Sequence, residues 1–526
     1  MPPRKKKKKK DRVIPPETGV EQIAAIDIGS SSIRLALAEF GADNKMRRHE
    51  TLSQNVSIGS DTFTCGEISH ETTEQCVRIL TSFKRVMQEY TITQPEQIRA
   101  VATSAVREAT NRDAFLDRLF MATGIQVDAI DEAETARLTY LGVQPYLSSD
   151  PDYTNTDTLV IEVGGGSTEL LWVRGDDVLF SHVYPLGSLR INEALGDMPA
   201  RDIQRQIQAM VDDIRHSVKV GKEVQLIFLG GEARFTARQI QPGWEVRKHT
   251  RISVKALARF KDEILKLSVD DRVREYHLNF SDAETLGVAL MAYAQFAEAF
   301  DLKNVQVSGV TMRDGLLMEL VNGGAWSVEF NHQILRSAKE LGAKYAYAEA
   351  HADEVALLAK LLFHELQPDH QLSPRYLLLL EVAALLHEVG LFVSDRNYHK
   401  HSSYLVDQAD IFGLGRRNTK LVALVVRYHT RANPGMGQSA FAALDRSDRM
   451  VVKQLSAILR IADALGASRR QRVTQISCRR DADRLLIFVP GVEDLTLEQL
   501  ALLEKGNLFR DVYGYTVEFR KRAGKS

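Results

Sequence analysis

The sequence predicts an α/β protein with a duplicated half, followed by an all-α region and a small α+β C-terminal portion. Three observations carry that expectation. A strand–turn–strand segment, "IDIGSSSIR" at 26–34, has a near copy about 135 residues later in "LVIEVGGGSTELLWV" at 159–173. Each copy opens a stretch in which strand-like and helix-like patterns alternate, the signature of an α/β layer. From about 330 to 466 the pattern is helical almost throughout, and 470–526 returns to short strands around the helical "TLEQLALLEKG".

Within the first half, "QIAAIDIG" and "SIRLALAEF" flank the turn, "TTEQCVRILTSFKRVMQEY" has helical amphipathicity, and "QIRAVATSAV" reads as a buried strand. "NRDAFLDRLFMATG" carries Asn at its start and Gly at its end, a helix with both caps. The polar "YLSSDPDYTNTD" at 146–157 reads as a linker or long loop. The second half repeats the order: hairpin, helix ("RDIQRQIQAMVDDIRHSV"), buried strand ("VQLIFLGG"), more helix. The expected domains are therefore a basic tail at 1–20, α/β halves at 21–145 and 146–325, a helical domain at 326–468, and a small α+β domain at 469–526.

The chain has 526 residues, 44% hydrophobic and 26% charged, with a net charge of -1. That length supports several cores, and the near-neutral balance supplies no global field toward nucleic acid or membrane. The richest apolar run, "YLLLLEVAALLHEVGLFV", is broken by Glu381, His387 and Glu388 and is no membrane span. The basic start is followed by "DRVIPPETG" where a secretory signal needs an apolar core. Cys65, Cys76 and Cys478 are too few and scattered for a disulfide framework or a zinc site. A reducing cytoplasmic setting is the expectation. The block "PPRKKKKKK" repels itself and should form a disordered tail, either merely solvated or attracting a polyanion.

The two turns carry the chemistry. A tight turn after a strand exposes backbone N–H groups, glycine lets the main chain approach a ligand, and Ser or Thr adds hydroxyl donors. Gly29, Ser30, Ser31 and Ser32 form one such phosphate loop; Gly164, Gly165, Gly166 and Ser167 form the other. Asp27 and Glu162 precede them by two residues. A carboxylate beside phosphate repels it unless a divalent cation intervenes, so these acids predict Mg²⁺ held directly or through water.

Further segments narrow the reading. "VATSAVREATN" (101–111), "ARLTYLGV" (136–143), "IEVGGGSTEL" (161–170), "PLGSLRI" (185–191) and "GVTMRDGLL" (309–317) stand in the order found in exopolyphosphatases and guanosine pentaphosphate phosphatases. The chain thus resembles the Ppx/GppA family of the actin-like (ribonuclease H-like) ATPase superfamily. "LLHEVGL" (385–391), "HKHSSYLV" (399–406) and "VVRYH" (425–429) resemble the degenerate HD-like helical domain of its long members. The resemblance implies phosphoanhydride hydrolysis with Mg²⁺, acting on inorganic polyphosphate or on the 5′ end of pppGpp. It implies no specific nucleic acid and no membrane partner; a homodimer is expected.

Carried onto this chain, the resemblance makes Asp27 and Glu162 the metal ligands and Arg107, in "SAVRE", a phosphate-binding arginine. A guanidinium fork suits a phosphoryl group. Arg313 is expected to be a structural partner of Asp314 or of a domain interface. The family's water-orienting glutamate falls on Thr135, in "DEAETARL". Glu134 or Glu132 can substitute, or the base is lost; neighbouring positions on a helix point about 100° apart. Two more departures surround the same site: Glu162 replaces an aspartate, and "LGGEARFTA" (229–237) puts Glu232 and Arg234 into a small neutral loop. In the helical region, His387–Glu388 replaces the His–Asp pair of metal-dependent HD hydrolases, so an independent metal site is not expected there. Instead His399, Lys400, His401 and Arg427, with His387 and His429, are expected to line a path for a long polyanion.

Overall fold

A computed structural model describes residues 20–41, 46–148, 153, 156–196, 198–221, 223–245, 249–321, 328–471 and 473–522. The Lys-rich tail and half of the 146–157 linker (149–152, 154 and 155) lie outside the described residues, and positions 146 and 147 end the helix Glu132–Leu147 where a loop was expected. The described residues form two compact units. One comprises those up to 325 apart from 132–134 and 177–179; the other comprises these two short segments and the residues beyond 325.

The first unit contains two sheets. Strands β1 (Val20–Ile28), β2 (Ser32–Gly41), β3 (Met46–Asn55), β4 (Ile98–Ala102) and β5 (Val127–Ala129) take the order β3-β2-β1-β4-β5. Strands β6 (Asp157–Val163), β7 (Thr168–Arg174), β8 (Asp177–Tyr184), β9 (Val224–Leu229), β10 (Thr250–Ser253) and β11 (Asn304–Val307) take the order β10-β11-β9-β6-β7-β8. In each, a central strand pairs antiparallel with the next in sequence (β1 with β2, β6 with β7) and parallel with a later one (β1 with β4, β6 with β9). The repeated hairpin is thus the visible part of a repeated topology.

Alternation along β1 decides what each residue touches. Ala24, Ile26 and Ile28 face Leu80 and Phe83 of the helix His70–Glu89. Ile23 and Ala25 face the other side, against Leu316 and Leu317 of the helix Met312–Val321. Asp27 shares the parity of Ile23 and Ala25, so it ends on the side covered by that late helix. The same alternation buries Leu159, Ile161 and Val163 of β6 in one core and sends Glu162 to the opposite face.

The second unit is mainly helical, with Glu349–Glu365, Arg375–Leu386, Tyr398–Asp407, Arg416–Arg427 and Arg446–Leu465 among its longer helices. "RYLLLLEVAALL" shows no polar stripe because it is central: eight of its residues from Leu378 to Leu386 are buried. Strands β12 (Ser477–Asp481), β13 (Arg484–Pro490) and β14 (Thr516–Arg522) form a three-stranded sheet within this unit. No described helix is long and apolar enough to cross a membrane.

Several histidines of this unit sit in its interior. His429 is fully buried and held down to about 3, first by burial and then by His387; His351 is held down to about 4 by the same two causes. Both folded values lie below the ordinary 6.5 of a free histidine. Their contribution to stability is therefore present above about pH 6.5 and is lost progressively as the pH falls toward about 4. Calorimetry on the full chain should show the helical unit melting at a lower temperature at pH 5 than at pH 7.5. An unchanged melting temperature would contradict neutral burial of these rings.

Candidate active site

The two hairpins close with the same turn. Gly29 N–H donates to Ser32 O at 3.0 Å, and Gly164 N–H donates to Ser167 O at 2.8 Å. Both loops line one cavity of about 110 Å³, together with Thr103, Ser104, Arg107, Thr135 and the turn at Gly230 and Gly231. The loops approach each other closely. A Cβ on Gly166 would lie 2.3 Å from Ser104 Oγ and 3.0 Å from Ser30 Oγ, so only glycine fits there. The carbonyls of Gly164 and Gly165 accept from the N–H groups of Ser188 and Leu189, anchoring the second loop on the start of the helix Ser188–Leu195.

Register fixes the acids. Asp27 pairs across its hairpin with Arg34, and Glu162 pairs across the second with Glu169. Directly opposed side chains share a face, so the first hairpin presents an acid with a base and the second presents two acids. All four line the cavity. Glu169 is the residue that sequence reasoning missed. Its signal was present in "EVGGGSTE", because a four-residue turn puts positions 162 and 169 face to face.

Burial and like charge show in the ionisation. The Glu169 carboxyl is pushed up to about 8, by burial first and by Glu162 second, although Thr139 Oγ1 donates to it at 2.9 Å. Glu162 is also raised, chiefly by burial, with Asp27 adding to the rise and Arg234 opposing it.

Arginines meet these acids. Arg313 Nη1 lies 3.2 Å from Asp27 Oδ2, both side chains buried. This corrects the Asp314 alternative expected for Arg313 and agrees with the interface alternative, since Asp27 and Arg313 come from the expected halves 21–145 and 146–325. Asp314 instead accepts from the Thr311 N–H and hydroxyl, and Arg313 stands in the cavity wall because its helix covers the Asp27 side of β1. Burial lowers Arg313 to about 10, which leaves it cationic at neutral pH. Arg107 donates to Ile130 O at 3.1 Å; among its neighbours, Glu108 is taken by Arg190 and Asp113 by Arg112.

The loop 229–237 also enters the wall. Gly230 has φ +104°, a left-handed backbone that suits glycine, and it caps the helix Gly231–Ile240. That helix begins at the cavity with Gly231, Glu232 and Arg234, so its positive end faces the site. Arg234 Nη1 is buried without a hydrogen-bond partner. Burial is the main cause that raises Glu232 and lowers Arg234.

Thr135 lines the cavity and is buried, its hydroxyl donating to Asp131 O at 2.8 Å. Glu132, exposed, and Glu134, half-buried, belong to the first turn of the helix Glu132–Leu147 and are not among the cavity's lining residues. Thr139 lies one helical turn beyond Thr135 on the same face, and it is Thr139 that holds Glu169.

The donor set suits a hard divalent cation. The charged lining is four acids (Asp27, Glu162, Glu169, Glu232) against four arginines (Arg34, Arg107, Arg234, Arg313), a balance that an entering phosphate would upset. The opposed Glu162–Glu169 pair, both raised first by burial and then by a neighbouring carboxylate, is where a cation ligated by oxygen would offset the buried charge. Because the Asp27–Arg313 pair is buried, Arg313→Met should destabilise the chain by about 3–5 kcal/mol in urea titrations with chelator present. Adding Asp27→Asn should recover most of that loss. A single variant as stable as the parent would contradict the pairing.

Comparison with known proteins identifies the family. The Ppx/GppA phosphatase family profile matches residues 42–323, and that of Ppx/GppA phosphatase domain III matches 335–506. The guanosine-5'-triphosphate,3'-diphosphate pyrophosphatase of Photobacterium profundum is 24% identical over 459 residues, covering 83% of this chain and 86% of that protein. The protein of the same name from Aliivibrio fischeri is 22% identical over 456 residues, with the same coverage. An exopolyphosphatase from Cytophaga hutchinsonii shares the fold, with a TM-score of 0.53 at 19% identity over 58% of this chain and 99% of that one. With more than half its length matched by the family profile, the chain belongs to the Ppx/GppA phosphatases, hydrolases of phosphoanhydride bonds on an actin-like fold.

Proposed function

We propose that the protein is an Mg²⁺-dependent exopolyphosphatase that releases orthophosphate from the end of inorganic polyphosphate. The observation that carries this reading is the meeting of two phosphate loops, four arginines and a set of buried carboxylates in one cavity, none of whose described lining residues is aromatic. Such a lining suits a phosphate chain better than a base. A second reading, removal of the 5′-terminal phosphate of pppGpp, is favoured by the two relatives that carry the pyrophosphatase name.

In this reading the terminal phosphate lies between Gly29–Ser32 and Gly164–Ser167, with N–H and hydroxyl donors on its oxygens. Asp27 and Glu162 would hold Mg²⁺, which when bound offsets phosphate charge and polarises the phosphoryl group. Arg107 and Arg313 take up charge that develops as the bond to the leaving phosphate lengthens. Arg234, with a buried and unpartnered Nη1, holds the next phosphate along the chain. Glu169 orients the attacking water and accepts its proton; it lines the cavity and is held by Thr139, one helical turn from Thr135. Water oxygen bonds to phosphorus, the bridging P–O bond breaks, and its electron pair leaves on the shortened chain.

We read the helical unit as HD-like, with His399, Lys400, His401 and Arg427 forming a basic patch to which polyphosphate binds. His399 is lowered by burial and then by Arg427, Lys400 and His401, so the four groups share one field. His387 and His429 are buried and take no part in that surface.

Phosphate release from long polyphosphate and from pppGpp, with and without Mg²⁺, tests the assignment. Release from polyphosphate should be the faster and should stop in excess chelator; activity on pppGpp alone would favour the second reading. Glu169→Gln should lower kcat by about 10²–10⁴-fold with little change in KM, whereas Glu134→Gln should leave kcat near that of the parent. Thr135→Glu should raise the rate. The reverse order of the two Gln variants would return the base to Glu134.

The basic surface has its own test. Lys400→Ala combined with Arg427→Ala should raise KM for long polyphosphate at low salt and leave tripolyphosphate unaffected, because screened charge acts on the distant chain. Equal effects on both substrates would remove these residues from substrate binding.

A further inference from the structure

Five helix ends of the second unit meet at a buried polar cluster that the phosphatase chemistry does not use. His351 stands at the start of Glu349–Glu365, and His387 follows the end of Arg375–Leu386. Asp463 lies in the last turn of Arg446–Leu465, His429 follows Arg416–Arg427, and Lys505 ends Thr496–Lys505. His351, His387 and Asp463 are buried, and one ligand atom from each lies within 4.8 Å of the others.

The hydrogen bonds leave these atoms pointing at one another. His387 Nδ1–H donates to Ala384 O at 2.7 Å, so its Nε2 carries the lone pair; that atom is buried without a hydrogen-bond partner. Nε2 of His387 and Nε2 of His351 each lie 3.9 Å from Asp463 Oδ1, too far for a hydrogen bond. Glu388 Oε2, 4.0 Å from His351 Nε2, is likewise buried and unpartnered. Buried polar atoms are rarely left unsatisfied, and several converging on one point call for an occupant.

Spacing and donor type identify it. Ligands of about 2.0–2.1 Å on a tetrahedral ion stand about 3.4 Å apart, so each His–Asp separation would close by about half an ångström and the widest pair of the set, within 4.8 Å, by about 1.4 Å at most. The supporting contacts are those that orient metal ligands. The Ala384 carbonyl fixes the His387 tautomer, Lys505 holds Asp463 Oδ2, and Arg469 holds Glu388 Oε1. His429 is spoken for: its Nδ1–H donates to Val426 O and its Nε2 accepts from the Tyr398 hydroxyl. Two imidazole nitrogens with a carboxylate select a borderline transition ion over Mg²⁺ or Ca²⁺.

We propose that His351, His387 and Asp463, with Glu388 as an adjacent fourth donor, bind one divalent transition-metal ion such as zinc in the helical unit. Glu388 following His387 reads from sequence as a lost metal pair; in the structure its longer side chain still reaches the cluster. The Lys505 ammonium, paired with the same aspartate, opposes the ion and keeps its affinity moderate. The site is separate from Asp27 and Glu162 in both residues and donor chemistry.

Cobalt is the probe. The full chain, stripped with chelator and titrated with Co²⁺, should gain one tightly held ion with the intense visible absorption of low-coordinate cobalt. Zn²⁺ should abolish that band and raise the melting temperature by several degrees. The band should survive Asp27→Asn and vanish with His387→Ala, far-UV circular dichroism confirming that each variant is folded. Lys505→Met, which keeps the length of the side chain, should tighten Co²⁺ at least tenfold, giving a test that does not depend on His387→Ala folding. Absence of any such band in the folded chain, a band that follows Asp27 and ignores His387, or unchanged affinity in Lys505→Met would overturn the proposal.

Discussion

Carboxylates drawn out of bulk water into the wall of one cavity govern this protein. Asp27, Glu162 and Glu169 are charges taken from solvent, and each would be costly to bury alone. Arg313 on Asp27, Arg34 across the hairpin, and Arg234 near Glu162 offset that cost without cancelling it, which leaves Glu162 and Glu169 raised. A site held in this condition is preorganised for a ligand that brings both cation and anion. Phosphate with a divalent ion is such a ligand. The late helix Met312–Val321 follows from the same demand, since it must cover the polar end of β1 with a cation.

The duplicated hairpin shows how one backbone device serves two purposes. Both turns close with the same N–H to carbonyl bond, so both offer small donors at the same place. What differs is the residue across the ladder, Arg34 in one and Glu169 in the other. The first hairpin thereby sets a cation beside its turn, which suits the phosphate-binding role proposed for it. In the second, Thr139 holds the carboxylate opposite Glu162 on the face of the helix that also carries Thr135. A chain that lacks the family's glutamate at that helical position still has an acid at the wall.

Local pattern made much of this legible. The hairpins, their acids and the glycine- and hydroxyl-rich turns follow from strand alternation and turn chemistry within nine or so residues. Glu169 is equally local, and its signal lies in the register across the four-residue turn rather than in the turn itself. Arg313 was beyond local reasoning: its partner lies 286 positions away, and only the choice of which helix covers which sheet face brings them together. The buried histidines failed for a related reason. His387 and His429 look like solvent-facing cations in sequence, yet both follow helices whose ends turn into the core. Helix boundaries can be read from sequence more easily than the direction in which a helix end points.

The central claim is that both loops grip one terminal phosphate. Its most direct test is a crystal structure of the slow Glu169→Gln chain soaked with Mg²⁺ and tripolyphosphate. The account predicts a terminal phosphate within hydrogen-bond distance of both Gly29–Ser32 and Gly164–Ser167, with the ion between it and Asp27 or Glu162. Phosphate bound to only one loop, or bound outside the cavity altogether, would contradict it.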